Sequence, residues 1–184
     1  MSSAATDLGS NSRDSQGEAL RRRTPQTVRT TEDWVREFTE GWRDPRGADR
    51  FIAHFRELLD ERVRLIQPQL ATVVGRDAFA ERFVRPLFAL IPDLRADVDR
   101  WAVNGEQAFI EITLRGTLGG RRPISWRACD RITVRDGVAV ERETYCDPLP
   151  LIVATARTPS AWPRFIRFQI QSRVRASNQR RKTQ

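Results

Sequence analysis

The 184 residues of this chain support one domain with flanking tails, and a hydrophobic content of 39% is ordinary for a water-soluble protein. No run approaches the roughly 18 apolar residues of a membrane span, and the N-terminus lacks the apolar core of a secretory signal. The formal charge of +8 belongs to the tail: eight basic residues and no acid follow Asp147, while residues 1–147 balance 24 basic against 24 acidic side chains, so the domain lacks the basic surface of a nucleic-acid-binding fold.

Residues 1–30 are rich in Ser, Thr, Gln and Arg and read as a disordered lead. The domain is predicted over 31–156. Thr31-Glu32-Asp33 caps a first helix in which Trp34, Phe38 and Trp42 recur every four residues, and Asp44-Pro45-Arg46-Gly47 ends it. A second helix is expected from about Ala48 to Asp60, burying Phe51, Ile52, Phe55, Leu58 and Leu59. Val63 to Ile66 is a short strand closed by Pro68. Gly75-Arg76-Asp77 opens a third helix with Phe79, Phe83, Leu87, Phe88 and Ile91 inward and a kink at Pro86; Ile91-Pro92-Asp93 stops it.

From Leu94 to Asp147 the pattern changes to period two, giving four strands joined at Asn104-Gly105, Gly119-Gly120-Arg121 and Asp136-Gly137. Leu149 to Ala156 is apolar and expected to dock on the domain. In the extension 157–184, Trp162, Phe165, Ile166, Ile170 and Val174 recur at helical spacing among arginines. Such a basic amphipathic helix suits an anionic membrane surface, or packing on its own domain or on a second subunit.

The turns set a register. A loop at Gly119 to Arg121 places Leu114 opposite Trp126 and Ile110 opposite Asp130; a loop at Asp136-Gly137 places Val134 opposite Ala139 and, carried on without interruption, Asp130 opposite Glu143. The inner face then holds Asp130, Glu143, Tyr145 and Asp147, walled by Ile110, Trp126 and Ile132. That register also turns Glu141 inward and Val140 outward, so a bulge near Arg142 would reverse the far half of the last strand. Asp130 is the feature that stands out, a carboxylate where the alternation calls for an apolar residue. It is either a pocket acid or a buried carboxylate neutralised by an arginine from a helix. If Asp130 and Glu143 share the pocket floor, one of them holds its proton near neutral pH, which places an acid beside a base. Asp147 either faces the pocket mouth or caps the strand end before Pro148.

Other candidates are few. His54, the only histidine, is offset from the apolar stripe of its helix and is a pocket candidate. Phe38, Trp101 and Trp126 are core aromatics expected to contribute to the pocket wall. Cys129 and Cys146 both fall on the outward side in this register and are not opposite each other, which suits a reducing cytoplasm. One histidine and two cysteines without ligand spacing give no metal site, and no motif implies a cofactor.

Together these elements predict an α+β domain: a cone of three N-terminal helices packed in a curved, mainly antiparallel sheet, followed by the C-terminal basic helix. Their order resembles the SnoaL-like branch of the nuclear transport factor 2-like superfamily. The likeness is carried by Gly75-Arg76-Asp77-Ala78-Phe79, Leu90-Ile91-Pro92-Asp93-Leu94, Val134-Arg135-Asp136-Gly137 and Tyr145-Cys146-Asp147-Pro148. It implies a cone with a mostly apolar pocket, a homodimer, and a choice among ketosteroid isomerase-like, polyketide cyclase-like, epoxide hydrolase and non-catalytic members. Cys129-Asp130-Arg131-Ile132 resembles the isomerase segment that holds a protonated carboxyl donor, which matches Asp130. The isomerase base would fall at Gln67 and its tyrosine near Phe38, neither of which can serve. The Arg-x-Asp pair of the epoxide hydrolases is replaced by Glu111-Ile112-Thr113. For a cyclase-type acid–base aspartate, Asp130 and Asp147 are the candidates. Two readings follow: a pocket that binds a small apolar molecule, with room for cofactor-independent isomerase- or cyclase-type acid–base chemistry on a carbonyl or polycyclic compound, or a non-catalytic ligand-binding or interaction module, membrane-associated through the C-terminal basic helix.

Overall fold

A computed structural model describes residues 29–68 and 70–173. The expected lead up to residue 28 and the end of the basic extension from 174 lie outside the described residues. Helix α1 (Thr31–Arg43) starts at a capping box, with the Thr30 hydroxyl accepting from Asp33 N–H and the Asp33 carboxylate accepting from Thr30 N–H. Its inner stripe, Trp34, Val35, Phe38 and Trp42, is fully buried. Helix α2 (Ala48–Arg56) packs Phe51 and Phe55 against that stripe, with Phe38 edge-on to Phe55 at 5.7 Å and Trp42 edge-on to Phe51 at 4.7 Å.

Helix α2 ends short of the expected Asp60. Leu59 and Asp60 belong instead to β1 (Leu59–Ile66), because the sheet uses this backbone: Ala139 N–H donates to Leu58 O at 2.8 Å, as does the indole N–H of Trp34. A short β2 (Val73–Val74) pairs with β1. Helix α3 (Arg76–Phe79) runs through one π-helical turn (Ala80–Val84) into α4 (Arg85–Leu90). Pro86 has no N–H to continue an α ladder. The interruption takes the form of this π turn, in which Arg85 N–H reaches back to Ala80 O.

Four strands follow: β3 (Arg95–Asn104), β4 (Gln107–Leu118), β5 (Arg122–Arg135) and β6 (Val138–Cys146). The sheet order is β2-β1-β6-β5-β4-β3, and β1 lies parallel to β6. The sheet is therefore mixed, although its four long strands form an antiparallel meander. The loop at Gly119–Arg121 and the turn at Asp136-Gly137 stand where the residues place them, and both turn residues at 136 and 137 have positive φ. The β3–β4 turn is Gly105-Glu106, one residue later than Asn104-Gly105. After β6 come α5 (Leu149–Ala156), a 3-10 turn (Pro159–Ala161) and α6 (Trp162–Arg173).

The chain stop at Ile91-Pro92-Asp93 locks onto the end of β4. The Asp93 carboxylate accepts from Thr117 N–H at 2.6 Å and from its hydroxyl at 2.7 Å. Burial pushes the Asp93 pKa up, but the Thr117 hydroxyl and amide outweigh it and leave the acid below its ordinary value. The clamp therefore contributes fully above the ordinary aspartate range and is lost as pH falls through it; Asp93→Asn is expected to cost more stability at pH 7 than at pH 3 in urea unfolding. Beside it, a Cβ on Gly116 would lie 2.3 Å from Ile91 Cγ2 and 3.3 Å from Leu94 Cα. Gly116→Ala should destabilise the fold by about 1–3 kcal/mol through overpacking, measurable in the same unfolding experiment.

Candidate functional site

One extra residue in β6 determines the concave face. Val134 pairs with Ala139 as the turn requires, but Thr133 pairs with Glu141, so Val140 is left unopposed. Beyond this bulge every side chain of β6 changes sides. Asp130 faces Thr144, and Ala128 faces Cys146. Arg142, Thr144 and Cys146 point towards the helices. Glu141, Glu143 and Tyr145 point away. The exchange is physically sensible: an uninterrupted strand would bury two glutamates. On the convex face Glu141 instead meets Arg64 at 2.8 Å, and Glu143 meets Arg131 at 2.5 Å.

Asp130 is fully buried, as the alternation requires, and opposite Ile110. Its Oδ2 accepts from Arg142 Nη2 at 2.7 Å, and its Oδ1 accepts from the Thr144 hydroxyl at 2.6 Å. The arginine comes from the neighbouring strand rather than a helix. Arg142 is 6% exposed, and its guanidinium carbon stands 5.7 Å from the Phe38 ring centre and 5.9 Å from that of Trp42. This is a desolvated ion pair roofed by aromatics, and Asp130 is not among the residues lining the adjacent cavity.

The cavity lies next to the pair and has a volume of about 100 Å³. Its floor is Ile112, Leu114, Trp126 and Ala128 from the sheet, with Arg142, Thr144 and Cys146 from β6. Trp42, Phe83 and Leu87 form the helical wall, and Gln67, Pro68 and Leu70 one rim. Leu151 and Ile152 of α5 and Phe165 of α6 form the roof. Two of its lining residues carry a buried donor with no hydrogen-bond partner among the described residues: Arg142 Nε and Trp42 Nε1. Burial, then the nearby carboxylates of Asp130 and Asp147, pushes the Cys146 thiol above its ordinary value, so it stays a neutral thiol at neutral pH.

Of the catalytic and pocket-wall candidates named from the sequence, Trp126 and Asp147 line this cavity. Asp147 is exposed at the mouth, where its Oδ1 accepts from Leu149 N–H at 2.9 Å at the start of α5, so it both faces the mouth and caps. The other placements need correction. Glu143 and Tyr145 are carried to the convex face by the bulge, and Tyr145 is 51% exposed. Asp130 and Glu143 thus share no pocket floor. Trp101 lies on the edge strand β3 at 41% exposure. Phe38 and Ile110 are buried in the core, away from the cavity. His54 donates from Nε2 to Glu37 O at 2.8 Å, pinning α2 to α1 beside Gly41. Cys146 lies inward, not outward, for the same reason that Arg142 does.

The ion pair sets the stability of this face. Arg142→Met leaves an unpaired buried carboxylate and should cost about 3–5 kcal/mol. Asp130→Asn combined with Arg142→Met removes both charges and keeps an acceptor for Thr144. In urea unfolding the double variant should recover most of the loss; equal destabilisation of single and double variants would refute the pairing.

A family model described as a SnoaL-like domain matches residues 35–142. Among solved structures, an NTF2-like protein of unknown function from Burkholderia pseudomallei is 23% identical, with a TM-score of 0.58 over 66% of this chain and 94% of that one. A protein with a ketosteroid isomerase-like fold from Catenulispora acidiphila, in complex with trimethylamine, is 16% identical, with a TM-score of 0.58 over 72% and 98%. An LEH-like epoxide hydrolase from M. tuberculosis is 16% identical, with a TM-score of 0.55 over 72% and 96%. These likenesses concern the fold. No curated protein matches the chain.

Proposed function

The chain belongs to the SnoaL-like domain family, and on that footing we propose that its cone is a container for a small, mostly apolar, uncharged molecule bearing one hydrogen-bond acceptor, such as a carbonyl. The observation that carries this reading is the pair of unpartnered buried donors, Arg142 Nε and Trp42 Nε1, on two residues lining an otherwise largely apolar cavity. Each is costly while unmet, and neither satisfies the other because both donate. An acceptor on the ligand relieves that cost, whereas a hydrocarbon does not. The charge of Arg142 is already balanced by Asp130, and the other charged lining residue, Asp147, is negative. A carboxylate ligand would therefore meet no net positive charge. The volume of about 100 Å³ is below the roughly 150 Å³ of a cavity that holds benzene, which sets a single small ring as the upper limit on a ligand.

A chemical version of this reading rests on Asp147, the one carboxylate lining the cavity among the described residues. An isomerase- or cyclase-type step would hold the carbonyl oxygen on the two donors and pass an α-proton to Asp147. Asp130, held by Arg142 and Thr144, takes no part in it.

Titration followed by NMR should show cyclohexanone binding more tightly than methylcyclohexane, although burial of apolar surface alone favours the hydrocarbon. Trp42→Phe keeps an aromatic ring but removes the indole donor; it should weaken the ketone relative to the hydrocarbon by roughly 2–10-fold. A hydrocarbon that binds as well as the ketone would overturn the acceptor reading. For the chemical version, the protein should accelerate deuterium uptake at the α-carbons of cyclohexanone in D₂O, and Asp147→Asn should abolish the acceleration. Uptake at the buffer rate would leave the container and remove the chemistry.

A further inference from the structure

The roof of the cavity has an outer side that the container reading does not use. Nine large hydrophobic residues stand exposed among the described residues, and five of them fall between 149 and 166: Leu149, Ile152, Val153, Trp162 and Ile166. Leu149, Ile152 and Val153 are spaced i, i+3, i+4 along α5 and share one face of it. Trp162 opens α6, and its indole N–H donates to Thr155 O at 3.0 Å, which ties the two helices together while the residue stays 49% exposed. Ile166 lies one turn further on, at 53%. Other residues of the same helices, Leu151 on α5 and Phe165 on α6, close the cavity, and Ile152 both lines it and stays exposed.

The charge of this segment selects what covers the face. No acidic residue follows Asp147, and Arg157, Arg164 and Arg167 flank the exposed apolar residues. A second copy apposed face to face would set Arg157, Arg164 and Arg167 against their own counterparts, with no acid in this segment to offset them. A nucleic acid offers phosphates but no seat for Leu149, Val153 and Ile166. An anionic bilayer satisfies both, since the apolar residues enter the headgroup–acyl boundary and the arginines meet lipid phosphates. The exposed tryptophan with its apolar ring and bonded N–H suits that boundary as well.

We propose that α5 and α6 form a docking surface for an anionic phospholipid bilayer, seating the roof of the cavity on the membrane so that an apolar ligand passes between lipid and cavity without crossing water. The ligand passage rests on the container reading; the docking does not. It is tested by co-sedimentation of the full chain, without ligand, with vesicles of phosphatidylcholine alone and of phosphatidylcholine mixed equally with phosphatidylglycerol. Partitioning into the anionic vesicles should exceed that into neutral ones by at least about tenfold, given roughly five-fold per basic residue near an anionic surface. The exposed triple variant Leu149→Ser/Val153→Ser/Ile166→Ser should lower it by about tenfold or more. The variant Arg157→Gln/Arg164→Gln/Arg167→Gln should remove most of the preference for anionic lipid. Both variants alter exposed residues, and an unchanged melting temperature shows that they fold. Failure of the wild-type chain to bind anionic vesicles, or binding unmoved by both variants, overturns the proposal. So does self-association by sedimentation velocity that the serine variant abolishes, since a second copy then covers the face. Vesicle binding without a preference for the ketone would retain the docking and remove the container; the reverse pattern would do the opposite.

Discussion

A buried carboxylate and a buried guanidinium, brought together by one surplus residue in β6, govern the inside of this cone. Neither group could remain at its depth alone, because desolvating a single charge costs several kcal/mol. Together with the Thr144 hydroxyl they satisfy both oxygens of Asp130. The pair also arranges everything around it. Arg142 lies under the rings of Phe38 and Trp42, which ties the helical layer to the sheet through a charged group rather than through packing alone. What it leaves over, an unmet Nε beside an unmet indole N–H, is the most distinctive chemistry of the cavity wall.

That arrangement separates two roles that a lone acidic side chain on a concave sheet would merge. A catalytic acid needs access to the ligand and freedom to change its protonation state. Asp130 lacks that access, since Arg142 and Thr144 occupy both of its oxygens and it is not among the residues lining the cavity beside it. Its burial serves to orient Arg142. The cavity wall therefore carries donors, and the carboxylate lining it among the described residues is Asp147, which accepts from Leu149 N–H at the start of α5.

Much of this was legible beforehand, and the failures have definite causes. The hairpin turns and the β4–β5 register followed from glycine placement and alternation, so Asp130 opposite Ile110 was within reach of the residues alone. The β6 face was not, because a single added residue inverts it. The warning was visible, since strict alternation from Ala139 would have buried Glu141 and Glu143, and a bulge was the remedy. The run at Leu58 and Leu59 is too short to distinguish a buried helix end from a buried strand start; its parallel partner lies some eighty residues away, at Ala139. The cavity wall was the least legible part, because Trp42, Gln67, Arg142 and Phe165 converge only through long-range packing. His54 illustrates the converse, where an off-stripe polar residue hinted at chemistry and proved to be a strut between two helices.

The residues that close the cavity from above, Leu151, Ile152 and Phe165, lie beyond the span 35–142 that places the chain in its family. The roof of the cavity is thus written in a different stretch of the gene from most of its wall, since Trp42, Trp126 and Arg142 lie inside that span. Descendants of one ancestor could keep every strand of the cone and still diverge in what they enclose, by exchanging a short C-terminal appendage. Selectivity in such a lineage would be acquired at the edge of the domain while its centre stayed unchanged.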